Sequence, residues 1–284
     1  MRYDCIIIGS GPAGLSAAIN LKTYNKNFLW FGNAKLSEKV EKAEHVTNYP
    51  GLPGVSGAQL QEAFLKHKEE MGLEITDKIV SSIYDMGGYY TVMAENVFYE
   101  TASIILAMGV VAANQYQGEA EFVGRGVSYC ATCDGALYKG KKIAVVSTAK
   151  RFEHEINFLA DLAEEVQLFA FYKDCEIERE NVNFVKKAIK EVKGGFRVGE
   201  LVLGDGTSLS VDGVFIMRNA IAPTTLLTTL QMEDGHVAVN RQMETNLKGV
   251  FAAGDCTGKP YQYTKAVGEG NVAAHSVIEY LGEK

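Results

Sequence analysis

The sequence lacks most of what a secreted, membrane-bound or nucleic-acid-binding protein needs. It holds five cysteines in 284 residues, too few and too unevenly placed for the disulfide framework of a secreted domain. Cys5 lies in an apolar run, Cys175 and Cys256 stand alone, and only Cys130 and Cys133 form a short-range pair. Basic residues are not in surplus either. Lys and Arg number 28 against 35 Asp and Glu, for a net charge of −7, which excludes the basic footprint of a nucleic-acid binder. No apolar run approaches the roughly 20 residues that span a bilayer, so no membrane partner is expected. The opening MRYDCIII does not show the charged, apolar and small-residue order of a signal peptide, and a cytoplasmic location is expected. A zinc site would need four ligands, and the histidines at 45, 67, 154, 236 and 275 do not cluster; no metal site is expected.

What remains is ordinary globular material: 47% hydrophobic and 22% charged residues, enough for a real core, in a chain suited to one or two domains. Tyr3 to Ile8 is an apolar run that stops at Gly9-Ser-Gly-Pro-Ala-Gly14. Ala13, Ala17, Ala18 and Leu21 then recur at helical spacing, and Asn27 to Phe31 reads as a second strand. Strand, glycine turn, helix and strand make a βαβ opening. Its glycines have separate tasks: Gly9 makes the tight turn, Gly11 lets a pyrophosphate approach the backbone, and Gly14 lets the helix pack against the strand. The phosphates would then rest on free amides at a helix N-terminus. The acid expected after the second strand, for a ribose hydroxyl, is missing from Trp30-Phe31-Gly32-Asn33; Asn33 is the available substitute.

Toward the other end, Gly249-Val-Phe-Ala-Ala-Gly-Asp255 reads as a strand ending in Gly-Asp. An Asp so placed can hold a polyol hydroxyl, as the ribityl chain of a flavin requires. Ala266 to Tyr280 has helical spacing, and its N-terminal dipole would favour negative charge on a reduced flavin. The two ends of the chain therefore build one site, with a second unit between them. In that unit Lys142 to Val146 and Val166 to Phe171 read as strands, flanking a helix stripe of Phe152, Ile156, Leu159, Ala160 and Ala163. A hairpin from Phe196, turning at Gly204-Asp-Gly206, and a strand from Gly213 to Met217 complete it. The fold class expected is α/β: two Rossmann-like, three-layer ββα domains of dinucleotide-binding type, the second inserted in the first. The boundaries read as 1–114 with 245–284, and 115–244. A lone CxxC in a reducing compartment is a catalytic or metal-binding pair rather than a structural one. Such spacing lowers one thiol pKa and keeps both sulfurs within bonding reach.

Assembled, these pieces resemble the low-molecular-weight flavin thioredoxin reductases along nearly the whole chain. The resemblance rests on Gly9-Ser-Gly-Pro-Ala-Gly14, Asn48-Tyr-Pro-Gly51, Gly126-Val-Ser-Tyr-Cys-Ala-Thr-Cys-Asp-Gly135, Gly249-Val-Phe-Ala-Ala-Gly-Asp255 and Gly268-Glu-Gly270. It implies FAD as cofactor, a homodimer, and a Cys130–Cys133 disulfide that is reduced by the flavin. Cys133 would lie nearer the flavin, Cys130 would attack the partner's disulfide, and Asp134 would carry the proton. The implied cofactor-binding set is Gly9, Ser10, Gly11, Pro12, Ala13, Gly14, Asn33, Asn48, Gly109, Gly254, Asp255, Gln262 and Ala266. Two departures fall near it: Met108 where the family usually has Thr, and Tyr261 where an Arg usually precedes the Gln.

A larger departure lies in the second βαβ unit. The family binds NADPH there through G-x-G-x-x-A, but those places hold Ser147, Ala149 and Phe152, followed by Glu153. Added Cβ atoms keep a pyrophosphate off the backbone, and a Phe prevents close helix packing. The basic run that meets the 2′-phosphate is replaced by Phe171-Tyr-Lys-Asp-Cys175. In this respect the sequence is similar to the ferredoxin-dependent flavin thioredoxin reductases. A flavin takes electrons singly and a disulfide needs two, so a flavin converts between such carriers and thiols. Reduced ferredoxin is therefore the expected donor and thioredoxin the expected acceptor. Lys139, Lys141 and Lys142, or Lys150, Arg151 and Lys173, are candidates for a basic ferredoxin-docking patch. The alternatives are an NAD(P)H-dependent reductase with an atypical pocket, a reductase feeding a peroxide system, and a non-catalytic flavin-binding regulator.

Overall fold

The computed structural model describes residues 2–41, 43–109, 116–129, 131–218 and 222–282, with the backbone alone of Glu38 and Cys133. The chain divides into two compact units, residues 1–112 with 222–284 and residues 113–221, so the second unit is an insertion in the first.

The first unit begins β1 (Cys5–Ile8), α1 (Pro12–Thr23), β2 (Phe28–Phe31), α2 (Glu38–Glu41) and α3 (Gly57–Glu70). An antiparallel meander of β3 (Val80–Asp85), β4 (Tyr90–Ala94) and β5 (Val97–Thr101) precedes β6 (Ile104–Leu106). The second unit carries β7 (Val127–Ser128), α4 (Ala131–Asp134), β8 (Lys142–Ser147), α5 (Glu153–Leu162), β9 (Glu165–Ala170) and β10 (Val182–Phe184). It continues through β11 (Ile189–Gly194), β12 (Val198–Leu203), β13 (Ser208–Ser210) and β14 (Gly213–Met217). The chain then returns to the first unit with α6 (Pro223–Leu226), β15 (Met232–Glu233), β16 (His236–Val237), β17 (Val250–Ala252) and α7 (Tyr263–Gly282).

In the first unit a parallel sheet runs β17-β6-β1-β2. The period of two sends Cys5 and Ile7 to one face, where they join Trp30, Ile105 and Phe251 under α1 and α7. The opposite face points Phe31 toward Tyr99 of β5, edge-on at 5.2 Å. Helices on one side and an antiparallel sheet on the other give the three layers. Strands buried on both faces read as unbroken apolar runs, as CIII does here. Burying each such Ile or Phe contributes roughly 1.5–3 kcal/mol. The helix α1 can sit low because a Cβ on Gly14 would lie 1.9 Å from the Gly9 carbonyl oxygen, and one on Gly270 would lie 2.2 Å from that of Ala13.

The second unit repeats the plan, with a parallel sheet ordered β10-β9-β8-β14-β7. Ala144, Val146, Val214 and Ile216 pack on one face against Val192, Leu201 and Leu203 of the antiparallel β11-β12-β13 sheet. The return to the first unit falls at 222 and not at 245, correcting the sequence-based boundary. The reason is packing: α6 lies against β3, the β15–β16 hairpin lies by residues 255–257, and Asn246 is hydrogen-bonded to Thr229 and Gln231. Among the described residues no helix is long and apolar enough to cross a membrane, and no group of three His, Cys, Asp or Glu is placed to hold a metal.

Candidate active site

In a parallel sheet, ligands collect at the carboxyl ends of the strands, where the strand order reverses. In the first unit β1 lies between β2 and β6, with β17 beyond β6. Gly9 follows β1, Asn33 lies past β2, Gly109 past β6 and Gly254-Asp255 past β17, so the sequence-predicted residues share one edge. At Gly9 the backbone has φ +116°, and an added Cβ would lie 2.2 Å from the Ala107 carbonyl oxygen. At Gly11 an added Cβ meets nothing within 4 Å. Gly11 caps α1 without a side-chain bond, Pro12 follows it, and no acid occupies the first turn. The first turn of α1 therefore has no side-chain cap and no acid, with the helix dipole behind it. This is a cradle that a Cβ would fill, and a pyrophosphate fits it.

Ser10 is buried, and its hydroxyl is fully engaged, donating to the Leu36 carbonyl at 3.1 Å and accepting from the Asn33 amide at 2.9 Å. The Asn33 side chain accepts from the Lys35 amide at 2.8 Å. Both residues thus shape the turn after β2. Trp30, which sequence reasoning passed over, donates its indole N–H to the Gly9 carbonyl at 2.9 Å. A large aromatic in a strand ordinarily signals core, so only the structure shows that it locks the glycine turn.

Asn48 and Gln262 lie 214 residues apart in sequence and meet, with Asn48 Nδ2 donating to Gln262 Oε1 at 2.6 Å. Gln262 also accepts the Ala266 amide at 3.0 Å, and Ala266 is buried beneath Gly254 in the first turn of α7. Asp255 is half-buried, and burial raises its pKa above the ordinary carboxylate value, opposed by the Lys265 and Lys39 charges. Its carboxylate accepts no hydrogen bond from the described residues, which suits a hydroxyl-bearing ligand. The turn around it is held by Thr257, Lys265 and Glu269, the last from the Gly268-Glu-Gly270 motif, whose role here the sequence did not show. Glu269 Oε2 accepts from the Gly254 amide at 2.8 Å, the Thr257 hydroxyl at 2.8 Å and Lys265 Nζ at 2.9 Å, while Lys265 also donates to the Gly254 carbonyl at 3.0 Å. An i,i+4 Lys–Glu pair in a helix was legible as spacing, but its service to a distant turn was not.

In the second unit Cys130 lies outside the described residues, and of Cys133 only the backbone, in α4, is described. Asp134 closes α4 and accepts from the buried Ser128 hydroxyl of β7 at 2.6 Å. A Cβ on Gly135 would lie 3.0 Å from Phe158 and 3.1 Å from Leu159, so the thiol-bearing turn packs closely on α5. Elsewhere, burial pushes Cys5 up to about 12 and Cys256 up to about 11, which silences both as thiolate nucleophiles.

The second βαβ turn is closed where the first is open. After β8, Ser147 donates to the Ala149 carbonyl at 3.1 Å and Phe152 is buried. Glu153 occupies the first turn of α5, and its carboxylate accepts from Tyr172 at 3.0 Å and from the Glu176 amide at 3.1 Å. A carboxylate with two donors thus stands at the helix end where a pyrophosphate would need to approach. The candidate docking lysines are already engaged in part: Lys142 with Glu165, Lys150 with Glu176, and Lys141 over the Tyr138 ring.

A family model described as pyridine nucleotide-disulphide oxidoreductase matches residues 3–270. The chain is 32% identical to the thioredoxin reductase of Bacillus subtilis, over 99% of this chain and 95% of that one. Two crystal structures of ferredoxin-flavin thioredoxin reductases from Clostridium acetobutylicum are similar over the full chain. One is 48% identical with a TM-score of 0.90 over 99% of its length, the other 43% identical with a TM-score of 0.87 over 98%. On its two three-layer units, open glycine turn and CATCDG segment, the chain belongs to the pyridine nucleotide-disulphide oxidoreductase family, as a flavoprotein disulfide reductase of the thioredoxin reductase type.

Proposed function

We propose that the chain passes electrons from reduced ferredoxin, through FAD held in the first unit, to a Cys130–Cys133 disulfide, and from Cys130 to thioredoxin. The observation that carries this reading is the contrast between the two βαβ turns. One offers an open cradle at Gly11, and the other is filled by Phe152 and Glu153. A second turn filled in this way favours a reductant other than a nicotinamide dinucleotide. The resemblance to reductases that use ferredoxin supports that choice.

The residues that would hold FAD are the Gly9–Gly14 turn for the pyrophosphate, Asp255 for ribityl hydroxyls, and Asn48, Gly109, Gln262 and Ala266 along the same edge. When bound, a flavin supplies acceptance of single electrons and delivery of a pair. The thiol chemistry belongs to the chain. Two electrons and two protons convert the disulfide to two thiols. Loss of a proton from Cys130, with Asp134 as the proton carrier, yields the thiolate that attacks the partner's disulfide. Cys133 then displaces the partner's sulfur, which restores the disulfide and releases a dithiol. The Ser128 hydroxyl holds the Asp134 carboxylate in place for this exchange. Cys133→Ser tests the sequence of events: Cys130 should then trap thioredoxin as a stable mixed disulfide, while flavin content stays unchanged. Absence of any mixed disulfide with Cys133→Ser, together with unimpaired turnover by Cys130→Ser, would overturn the assignment.

A further inference from the structure

Glu119 is fully buried, and none of the steps above uses it. Its carboxylate accepts four hydrogen bonds, two of them from Arg218, 99 residues along the chain, and two from nearer groups. Arg218 Nη1 and Nη2 donate to its two oxygens at 2.7 and 2.8 Å in a bidentate fork, and Arg218 is itself only 17% exposed. The Tyr129 hydroxyl donates at 2.9 Å and the Tyr116 amide at 2.9 Å. The Arg218 guanidinium lies over the Tyr116 ring at 5.2 Å.

The identity of these partners gives the cluster its meaning. Tyr116 lies just inside the start of the second unit at residue 113, and Arg218 just before its end at residue 221. Tyr129 immediately precedes Cys130. One carboxylate therefore fastens both ends of the second unit to the segment that leads into the thiol pair. A buried ion pair is an inefficient way to add stability, because desolvating two charges offsets most of their attraction, and apolar residues of like volume do as well. What a bidentate pair does supply is a fixed geometry.

We propose that Glu119 is a positioning residue for the disulfide exchange: through Tyr129 it fixes the backbone that precedes Cys130, and so sets the rate of that residue's sulfur transfer. The proposal rests on Cys130 being the outlet thiol. Its effect belongs in the rate of sulfur transfer, where a displacement of about 1 Å costs up to about a hundredfold, and not in partner affinity.

The test uses the full-length holoenzyme, reduced anaerobically, freed of reductant, and mixed in a stopped-flow instrument with oxidised thioredoxin or with the small disulfide dithiobis(nitrobenzoate). Glu119→Gln should lower the saturating rate about tenfold or more, and Tyr129→Phe, which keeps the ring and the ion pair, by about threefold to tenfold. The thioredoxin concentration at half-saturation should stay within about twofold. Both disulfides should be slowed alike, while electron flow from the flavin to ferricyanide is unchanged. If Glu119→Gln does not fold, Tyr129→Phe decides alone. Saturating rates within about twofold of wild type for Tyr129→Phe, or a rise in the half-saturating concentration at an unchanged saturating rate, would overturn the proposal. A wild-type protein that reacts with neither disulfide would instead refute the outlet role of Cys130.

Discussion

At the scale of single residues, the glycines separate two kinds of constraint. A Cβ on Gly14 would lie 1.9 Å from a backbone oxygen, while one on Gly11 meets nothing within 4 Å. Gly14→Ala should therefore destabilise the fold by about 1–3 kcal/mol, as overpacking against backbone does, and lower the melting temperature by several degrees. Gly11→Ala should leave the melting temperature of the flavin-free protein nearly unchanged, yet weaken flavin retention about tenfold or more, or about 1.4 kcal/mol. Absorbance near the flavin band against protein absorbance reads the second effect, and calorimetry the first. Both glycines and their separate tasks were legible from the motif spacing, and the structure supplies the distances that make the tasks separable by experiment.

Asp255 ties stability to pH. Burial raises its folded pKa, so in the carboxylate range the folded state binds more protons than the unfolded state. Stability from this group then falls as pH rises through that range, and at neutral pH the charged form is a cost. Asp255→Asn should raise the melting temperature of the flavin-free protein at neutral pH. The gain should close as pH falls through the carboxylate range, and flavin retention should drop at every pH. A variant less stable at neutral pH than the parent would contradict the assigned cause.

At the scale of elements, β1, α1, β2, β8, β9, β14 and α7 were legible because each couples an unbroken apolar run or a helical stripe to a clear stop. The β3–β5 meander was not. Its strands are short pieces without a clean period of two, VSSIYD buried at Val80, Ser81 and Ile83 and VFYET exposed at Val97, Phe98 and Glu100, and their pairing is set by partners outside the window. The second boundary was misread for a related reason. The four-residue α6 and the two-residue strands β15 and β16 carry too little periodicity to show which unit they pack against. The start of α5 is the element on which function turns. Neither the wild-type protein nor Glu153→Gln should show flavin bleaching with NADPH, because the Ser147, Ala149 and Phe152 side chains remain. Joining Ser147→Gly, Ala149→Gly and Phe152→Ala to Glu153→Gln should produce NADPH binding measurable by calorimetry. Binding by the single variant alone would show that the carboxylate was the whole barrier.

At the scale of the molecule, two units of one plan meet opposite fates. In the first the glycine turn stays open and its helix end stays bare. In the second the same turn is closed by a buried ring and a hydrogen-bonded carboxylate. The insertion of one unit in the other was legible from the separated halves of the flavin-site motif. The Glu119–Arg218 clamp was not, because an acid and an arginine 99 residues apart carry no local pattern. A homodimer is the assembly proposed on the resemblance: light scattering should then give twice the 31.0 kDa chain mass, and the chain mass alone would overturn it.

The source of the electrons is the centre of the account, and one assay reaches it directly. Under argon, the purified flavin-loaded protein is given oxidised thioredoxin with either reduced ferredoxin or NADPH as the sole donor. Thioredoxin dithiol should form rapidly with ferredoxin, not at all in Cys130→Ser, and not above background with NADPH. Turnover supported by NADPH alone, with ferredoxin inert, would contradict ferredoxin as the donor.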